Sequence, residues 1–207
     1  MHINYNFKMI VIVDYGMGNL ASISNMIKKI GGNSIITRDK EIILNSSKLI
    51  LPGVGAFARG IKNLEEFGLV DVLEKAVLEK KIPILGICLG MQLMTLHSEE
   101  GNVKGLGWLD ANTIKFNDSN LKIPHIGWNE IRICKATKLL KGDYYRFYFV
   151  HSYHVVCNDV NDILFYSSYG SDFVAGFEKN NILGVQFHPE KSHKYGMELF
   201  QNFLKHY

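Results

Sequence analysis

Pro83-Ile84-Leu85-Gly86-Ile87-Cys88-Leu89-Gly90-Met91 is the stretch on which the fold turns. Pro83 to Ile87 is a short apolar run of the kind expected of a strand buried on both faces. Glycine stands two residues before and two residues after Cys88, and a helix is expected from near Met91. Small residues at these two places permit a sharp strand-to-helix turn, which exposes the central side chain at the carboxyl end of the strand. The same turn puts the thiol at a helix N-terminus, where the dipole favours an anion. A free thiol has a pKa of about 8.5, so only a few per cent is thiolate at neutral pH, and a neighbouring base or helix end raises that fraction. The competing reading is a small buried hydrophobe, the commonest fate of a free cysteine. Cys134 and Cys157 have no comparable setting.

Upstream, Met9 to Val13 is a β-branched run ended by Asp14, expected to be another buried strand. Asp14-Tyr15-Gly16-Met17-Gly18-Asn19 is a turn-rich loop. Leu20, Ile23, Ile27 and Ile30 then recur at helical spacing, and Gly31-Gly32 provides a stop. Ser34 to Thr37 and Lys48 to Leu51 read as strands two and three. Leu69, Val72 and Ala76, with Val70, Leu73 and Val77, form a wide helical stripe. Strand and helix alternating in this order predict a parallel sheet with helices on both faces. Downstream, Leu106 to Val185 is aromatic and β-branched with few helical patterns, and shorter, partly antiparallel strands are expected there, among them Tyr144 to Val150 and Ile182 to Gln186. Met197, Phe200 and Leu204 predict one face of a closing helix.

The 207 residues fit a single domain with a sizeable core, expected over residues 9–207, with residues 1–8 a polar extension. The composition is 47% hydrophobic and 21% charged, and the net charge of +3 is too small to argue for nucleic acid or a membrane surface. No run reaches the length of a membrane span. Three cysteines make no disulfide framework and suit a reducing compartment, so a cytoplasmic location is expected.

Gly184-Val185-Gln186-Phe187-His188-Pro189-Glu190-Lys191-Ser192 lies just past the Ile182 strand. A cysteine nucleophile needs an imidazole to accept its proton and return it to the leaving amine, and the imidazole needs a third group to hold its tautomer. His188 and Glu190 fit those roles, with Pro189 stiffening the turn between them. Of eight histidines only His188 combines a strand end with a nearby carboxylate. A metal is the weaker option: His151 and His154 are three apart on an expected strand, without a matching ligand set. Leu51-Pro52-Gly53-Val54-Gly55-Ala56-Phe57 follows the third strand. Its glycines allow close approach of backbone N–H groups to a developing oxyanion, with the Leu89 N–H as second donor; the plain alternative is a tight turn.

Together these segments resemble the class I glutamine amidotransferases over nearly the full chain, from about Met9 onward. The cysteine and histidine segments carry the class. Asp14 to Asn19, Pro124-His125-Ile126-Gly127-Trp128-Asn129 and Tyr148-Phe149-Val150-His151-Ser152-Tyr153 are more closely similar to the glutaminase subunits of imidazole glycerol phosphate synthase. The resemblance implies a flavodoxin-like three-layer α/β fold, a mostly parallel central sheet with added antiparallel strands. It implies Cys88 as nucleophile, His188 as acid/base and Glu190 as its orienter. Val54, Gly55 and Leu89 are expected at the oxyanion, and Gly53, Gln92, Ser152 and Tyr153 around glutamine. Asn19, Trp128 and Lys191 are expected to face a (β/α)8 cyclase subunit that receives the ammonia, the alternative for each being a structural role. No metal or cofactor is implied. A paralogous glutaminase serving a sugar-amidating synthase of surface polysaccharides fits the same motifs.

Overall fold

A computed structural model of the chain describes residues 9–207. The expected extension, residues 1–8, lies outside the described residues. In chain order the first half runs β1 (Ile10–Val13), α1 (Leu20–Lys29), β2 (Ser34–Thr37), α2 (Lys40–Leu44), β3 (Lys48–Leu51), α3 (Phe57–Glu66), α4 (Val70–Glu74), β4 (Ile84–Ile87) and α5 (Leu89–Leu93). The second half runs β5 (His97–Ser98), β6 (Val103–Lys104), β7 (Ala111–Lys115), β8 (His125–Ile133), β9 (Tyr145–His151), β10 (Tyr153–Cys157), β11 (Ile163–Tyr169), β12 (Ser171–Lys179), β13 (Ile182–Val185) and α6 (His193–His206).

The centre of the sheet is parallel, in the order β2-β1-β3-β4-β13, and continues antiparallel through β12, β10 and β7. β11 leaves β12 to pair with β8, and β8 pairs with β9 in a long hairpin. Every residue of β1, β3, β4 and β13 is buried, as a parallel strand covered on both faces requires. Side chains alternate between the faces. Val11, Val13, Leu49 and Leu51 meet Phe57, Ile61 and Leu64 of α3 and the Leu69–Val77 stripe. Ile10, Ile12, Ile50, Leu85 and Ile87 meet Ile23 and Ile27 of α1, Leu199, Phe200 and Phe203 of α6, and the aromatic side of β9. This is the expected three-layer α/β arrangement, helices on both faces of a sheet whose antiparallel additions come from the second half.

Three local expectations are corrected. The Leu69–Val77 stripe is not one regular helix, because α4 passes into a π-helical turn over Lys75–Glu79, closed by Lys80 N–H to the Lys75 carbonyl at 3.0 Å. The buried face of α6 is Gly196, Leu199, Phe200 and Phe203, with Met197 and Leu204 at its margins. A Cβ on Gly196 would lie 1.8 Å from the Pro189 carbonyl oxygen, so α6 meets the preceding turn through its glycine, and that contact sets its rotation. His151 and His154 are not on one strand: the first ends β9 and the second lies in β10.

Candidate active site

β4 and β13 are neighbours in register, Ile87 opposite Val185, so the two sequence segments that follow them emerge side by side. The backbone at Cys88 has φ +52° and ψ −109°, a region costly for a residue with a side chain and typical of functional sites. Two glycines make this turn possible. A Cβ on Gly86 would lie 2.8 Å from the Gly90 carbonyl oxygen and Met91 Cα, and one on Gly90 would lie 1.8 Å from the Leu51 carbonyl oxygen. The helix begins at Leu89, earlier than expected, with Cys88 at its cap position. The Leu89 N–H is therefore at the first helical position, where no intrahelical acceptor exists.

His188 lies just beyond β13, its backbone N–H bonded to the Tyr148 carbonyl at 2.9 Å. The ring is 1% exposed, and Nδ1 pairs with Glu190 Oε1 at 2.8 Å, the Glu190 side chain being 2% exposed. Nδ1–H is thus the donor to the carboxylate, which leaves Nε2 to act as base. Cys88 lies against the imidazole, but Nε2 completes no hydrogen bond of ordinary geometry with the sulfur. Burial disfavours the charged ring, yet Cys88 and Glu190 favour it more strongly, and the His188 pKa is pushed up to about 10.

A cavity of about 250 Å³, room for one amino acid, opens on Cys88. Val54, Gly55 and Leu89 form one wall, and Gln92, Ser152 and Tyr153 another. Larger surface grooves, such as the one of about 740 Å³ along Glu130–Tyr144, have no cysteine beside a histidine. Gly53 stands behind the wall and does not line it: a Cβ there would meet Tyr15 Oη at 2.4 Å and Leu89 Cβ at 2.8 Å. Tyr15 Oη donates to the Pro52 carbonyl at 2.5 Å and so props the glycine segment from below. This explains Tyr15 in its turn-rich motif as a support for the candidate oxyanion wall.

Asn19 is exposed and caps α1, its Oδ1 accepting from Ser22 N–H at 3.4 Å. Trp128 is 40% exposed and stacks on His193 with centroids 5.6 Å apart. Lys191 Nζ lies 5.6 Å from the centroid of the Tyr148 ring, which also meets Trp128 edge-on. Ile126, 58% exposed on the same face of β8 as Trp128, joins Trp128, Tyr148 and Lys191 in a surface patch, and its strand partner Val150 lines the cavity.

Three participants escaped the sequence reading. Glu100 brings a carboxylate to the cavity while Oε2 accepts the Phe57 N–H at 2.9 Å, and its short surrounding strands carry no pattern that would single it out. Gln186, fully buried, interrupts an apolar strand end between Val185 and Phe187, a signal that could have been used. The third is a pair of buried histidines, His125 Nδ1 and His151 Nε2, 2.9 Å apart. His151 Nδ1 lies 2.9 Å from the Tyr153 carbonyl, which can only accept. Burial keeps both rings neutral, and each neutral ring then carries its proton on Nδ1. Burial lowers the pKa of His125 to about 4 and of His151 to about 3. Since an unfolded histidine takes up its proton near pH 6.5, the unfolded chain binds more protons between there and about pH 3. Stability should accordingly fall on acidification through this window, by up to about 1.4 kcal/mol per pH unit for each ring. His188 acts in the opposite sense, its raised pKa contributing stability below pH 6.5 that is lost toward pH 10. Denaturant titrations at pH 7 and pH 5 measure the difference; equal stabilities would contradict the neutral pair. Among the described residues no group of three or more His, Cys, Asp or Glu side chains is placed to hold a metal ion, and no helix is long and apolar enough to cross a membrane.

The family model of the class-I glutamine amidotransferases matches residues 11–207. The chain is 56% identical over 200 residues to the imidazole glycerol phosphate synthase subunit HisH 2 of Methanococcus maripaludis, covering 95% of this chain and 99% of that one. It is 48% identical, with the same coverage of both, to subunit HisH 2 of Pseudomonas aeruginosa. A crystal structure of a glutamine amidotransferase, 20% identical, superposes with a TM-score of 0.75 over 94% of this chain and 97% of the other, a likeness of fold. By the family match and these near full-length identities, the chain belongs to the class I glutamine amidotransferases and, within them, groups with the HisH glutaminase subunits of imidazole glycerol phosphate synthase.

Proposed function

We infer that this glutaminase hydrolyses glutamine through a thioester on Cys88 and delivers the ammonia to a (β/α)8 cyclase subunit in histidine biosynthesis, in the cytoplasm. The observation that carries the chemistry is that Cys88 opens on an amino-acid-sized cavity while lying against the imidazole of the buried His188–Glu190 pair. The Cys88 thiolate adds to the side-chain amide carbon of glutamine. The Leu89 N–H and a donor from the Val54–Gly55 backbone stabilise the developing oxyanion. Protonated His188 gives its proton to the amide nitrogen, the C–N bond breaks, and ammonia leaves. Water then adds to the thioester as His188 removes its proton; glutamate departs and the thiolate is restored. Glu190 holds the imidazole tautomer throughout. Glu100, the carboxylate of the cavity, suits the α-ammonium of the substrate, and Gln92, Ser152 and Tyr153 complete its surroundings.

The patch of Ile126, Trp128, Tyr148 and Lys191 supports a partner docked beside the cavity, with Asn19 at the same end of the sheet. Flanked by Gly53 and Gly55, Val54 is 47% exposed, and a flip of its peptide on docking would aim the oxyanion donor, a population shift driven by the partner. The test is glutamate release by the chain alone and with a histidine-pathway cyclase plus its ribotide substrate. A rise of at least tenfold with the cyclase is expected. A second reading has one observation in its favour: the relatives from M. maripaludis and P. aeruginosa both carry the number 2 in their names. A second copy is free to serve another synthase. No rise with the cyclase, but a rise with a sugar-amidating synthase, would select that reading and leave the glutaminase chemistry intact.

A further inference from the structure

Gln186 has no exposed surface, and all of its side-chain polar atoms point into the protein between the apolar Val185 and Phe187. A buried primary amide is costly unless its groups are paired, and a leucine would fill the same space without that cost. The pairing here is specific. Gln186 Nε2 lies 3.7 Å from Cys88 Sγ, and Gln186 Oε1 lies 3.0 Å from Gln92 Nε2. Gln92 Nε2 in turn lies 3.0 Å from the Tyr153 carbonyl oxygen.

The direction of this chain is not a free choice. The Tyr153 carbonyl can only accept, so the Gln92 atom facing it must be the amide nitrogen. The Gln186 atom that faces the same nitrogen must then be the oxygen, and its N–H groups are turned toward the sulfur. One backbone carbonyl thereby fixes two side-chain amides. Both Gln92 N–H groups are consumed, and its oxygen is left for the cavity that it lines.

The sulfur needs a donor on this side. Its other polar neighbour here is the Val150 carbonyl, 3.9 Å away, which suits a thiol but repels a thiolate. We propose that Gln186 is a further catalytic residue of the glutaminase reaction, donating an N–H to the Cys88 sulfur while its carbonyl oxygen holds Gln92 in the orientation that receives the substrate's N–H donors. The N–H favours the anionic sulfur before attack and again when the thioester collapses. Through Gln92 the same side chain dictates that the cavity accepts an ammonium or amide N–H at that wall and disfavours a carboxylate. This rests on the reading of Cys88 as the nucleophile.

Two substitutions separate the two contacts. Gln186→Glu keeps an acceptor for Gln92 and removes the donor to sulfur; Gln186→Met removes both. Alkylation of Cys88 by iodoacetamide, followed on the peptide that carries it, does not use Gln92. The glutamine concentration that halves this alkylation does. Gln186→Glu should slow alkylation at neutral pH about tenfold, the order of one hydrogen bond to a charged group, and move its pH profile upward by about one unit, with glutamine protection changed less than threefold. Gln186→Met should slow alkylation similarly and also weaken glutamine protection about tenfold. Wild-type alkylation rate and pH profile in Gln186→Glu overturn the proposal, whether or not the methionine variant folds. If wild-type Cys88 reacts no faster than exposed Cys134, the nucleophile assignment itself has failed, and the two failures are distinguishable.

Discussion

Cys88→Ala should lower glutamate release by about 10⁵-fold or more, the scale on which removal of a triad nucleophile acts. The fold should be unaffected. Cys88 is 7% exposed, its side chain is small, and alanine bears the same backbone conformation at φ +52° as cysteine does. The thermal midpoint is therefore expected within about 2 °C of wild type, which separates chemistry from stability. A partner synthase given ammonium salt should work equally well with either protein, because only the source of ammonia has been removed. Glutamate release within tenfold of wild type would rule out Cys88 as the nucleophile.

Gly90→Ala should be the most damaging of the small substitutions around the site. The added carbon would stand 1.8 Å from the Leu51 carbonyl oxygen and 2.7 Å from the Leu51 carbonyl carbon, both backbone atoms of a central strand. A flexible side chain could step aside, but β3 cannot without disturbing its pairing with β1 and β4. Overpacking of this kind costs typically 1–3 kcal/mol and occasionally more, and about 3 kcal/mol or above is expected here. For a chain of this size that is a fall of roughly 6–12 °C in the thermal midpoint. Gly31→Ala is the control: nothing lies within 4 Å of its Cβ position, and only the backbone conformation at φ +82° opposes it. Equal losses in the two variants would contradict the steric account.

The parallel half of the fold was readable because β1, β3, β4 and β13 are buried on both faces, and its strands, the exposed edge strand β2 included, stand out as short apolar runs between polar turns. Ser34–Thr37 and Lys48–Leu51 were expected and occur with those bounds. α3 was not foreseen although Phe57, Ile61 and Leu64 have helical spacing. In the structure Gly60 is where Leu93 approaches, 3.1 Å from the position of an added Cβ, so the glycine serves packing between helices. The π-helical turn had no signal, since apolar spacing does not record one extra residue in a turn. Cys88, His188 and Glu190 were nominated from local chemistry, each beside a strand end. Glu100, Gln186 and the His125–His151 pair depend on contacts across 26 to 98 residues of sequence, and pattern along the chain does not carry such distances.

Among the described residues β13 is the last strand in chain order, yet it lies at the middle of the sheet, between β4 and β12. Until residues 182–185 leave the ribosome, the two halves of the sheet cannot close on each other, and each presents an open edge where the other will join. Cys88, translated a hundred residues earlier, has neither its base nor its neighbouring strand during that interval. An unfinished chain is therefore expected to release no glutamate and, with an open edge in its sheet, to be prone to aggregate.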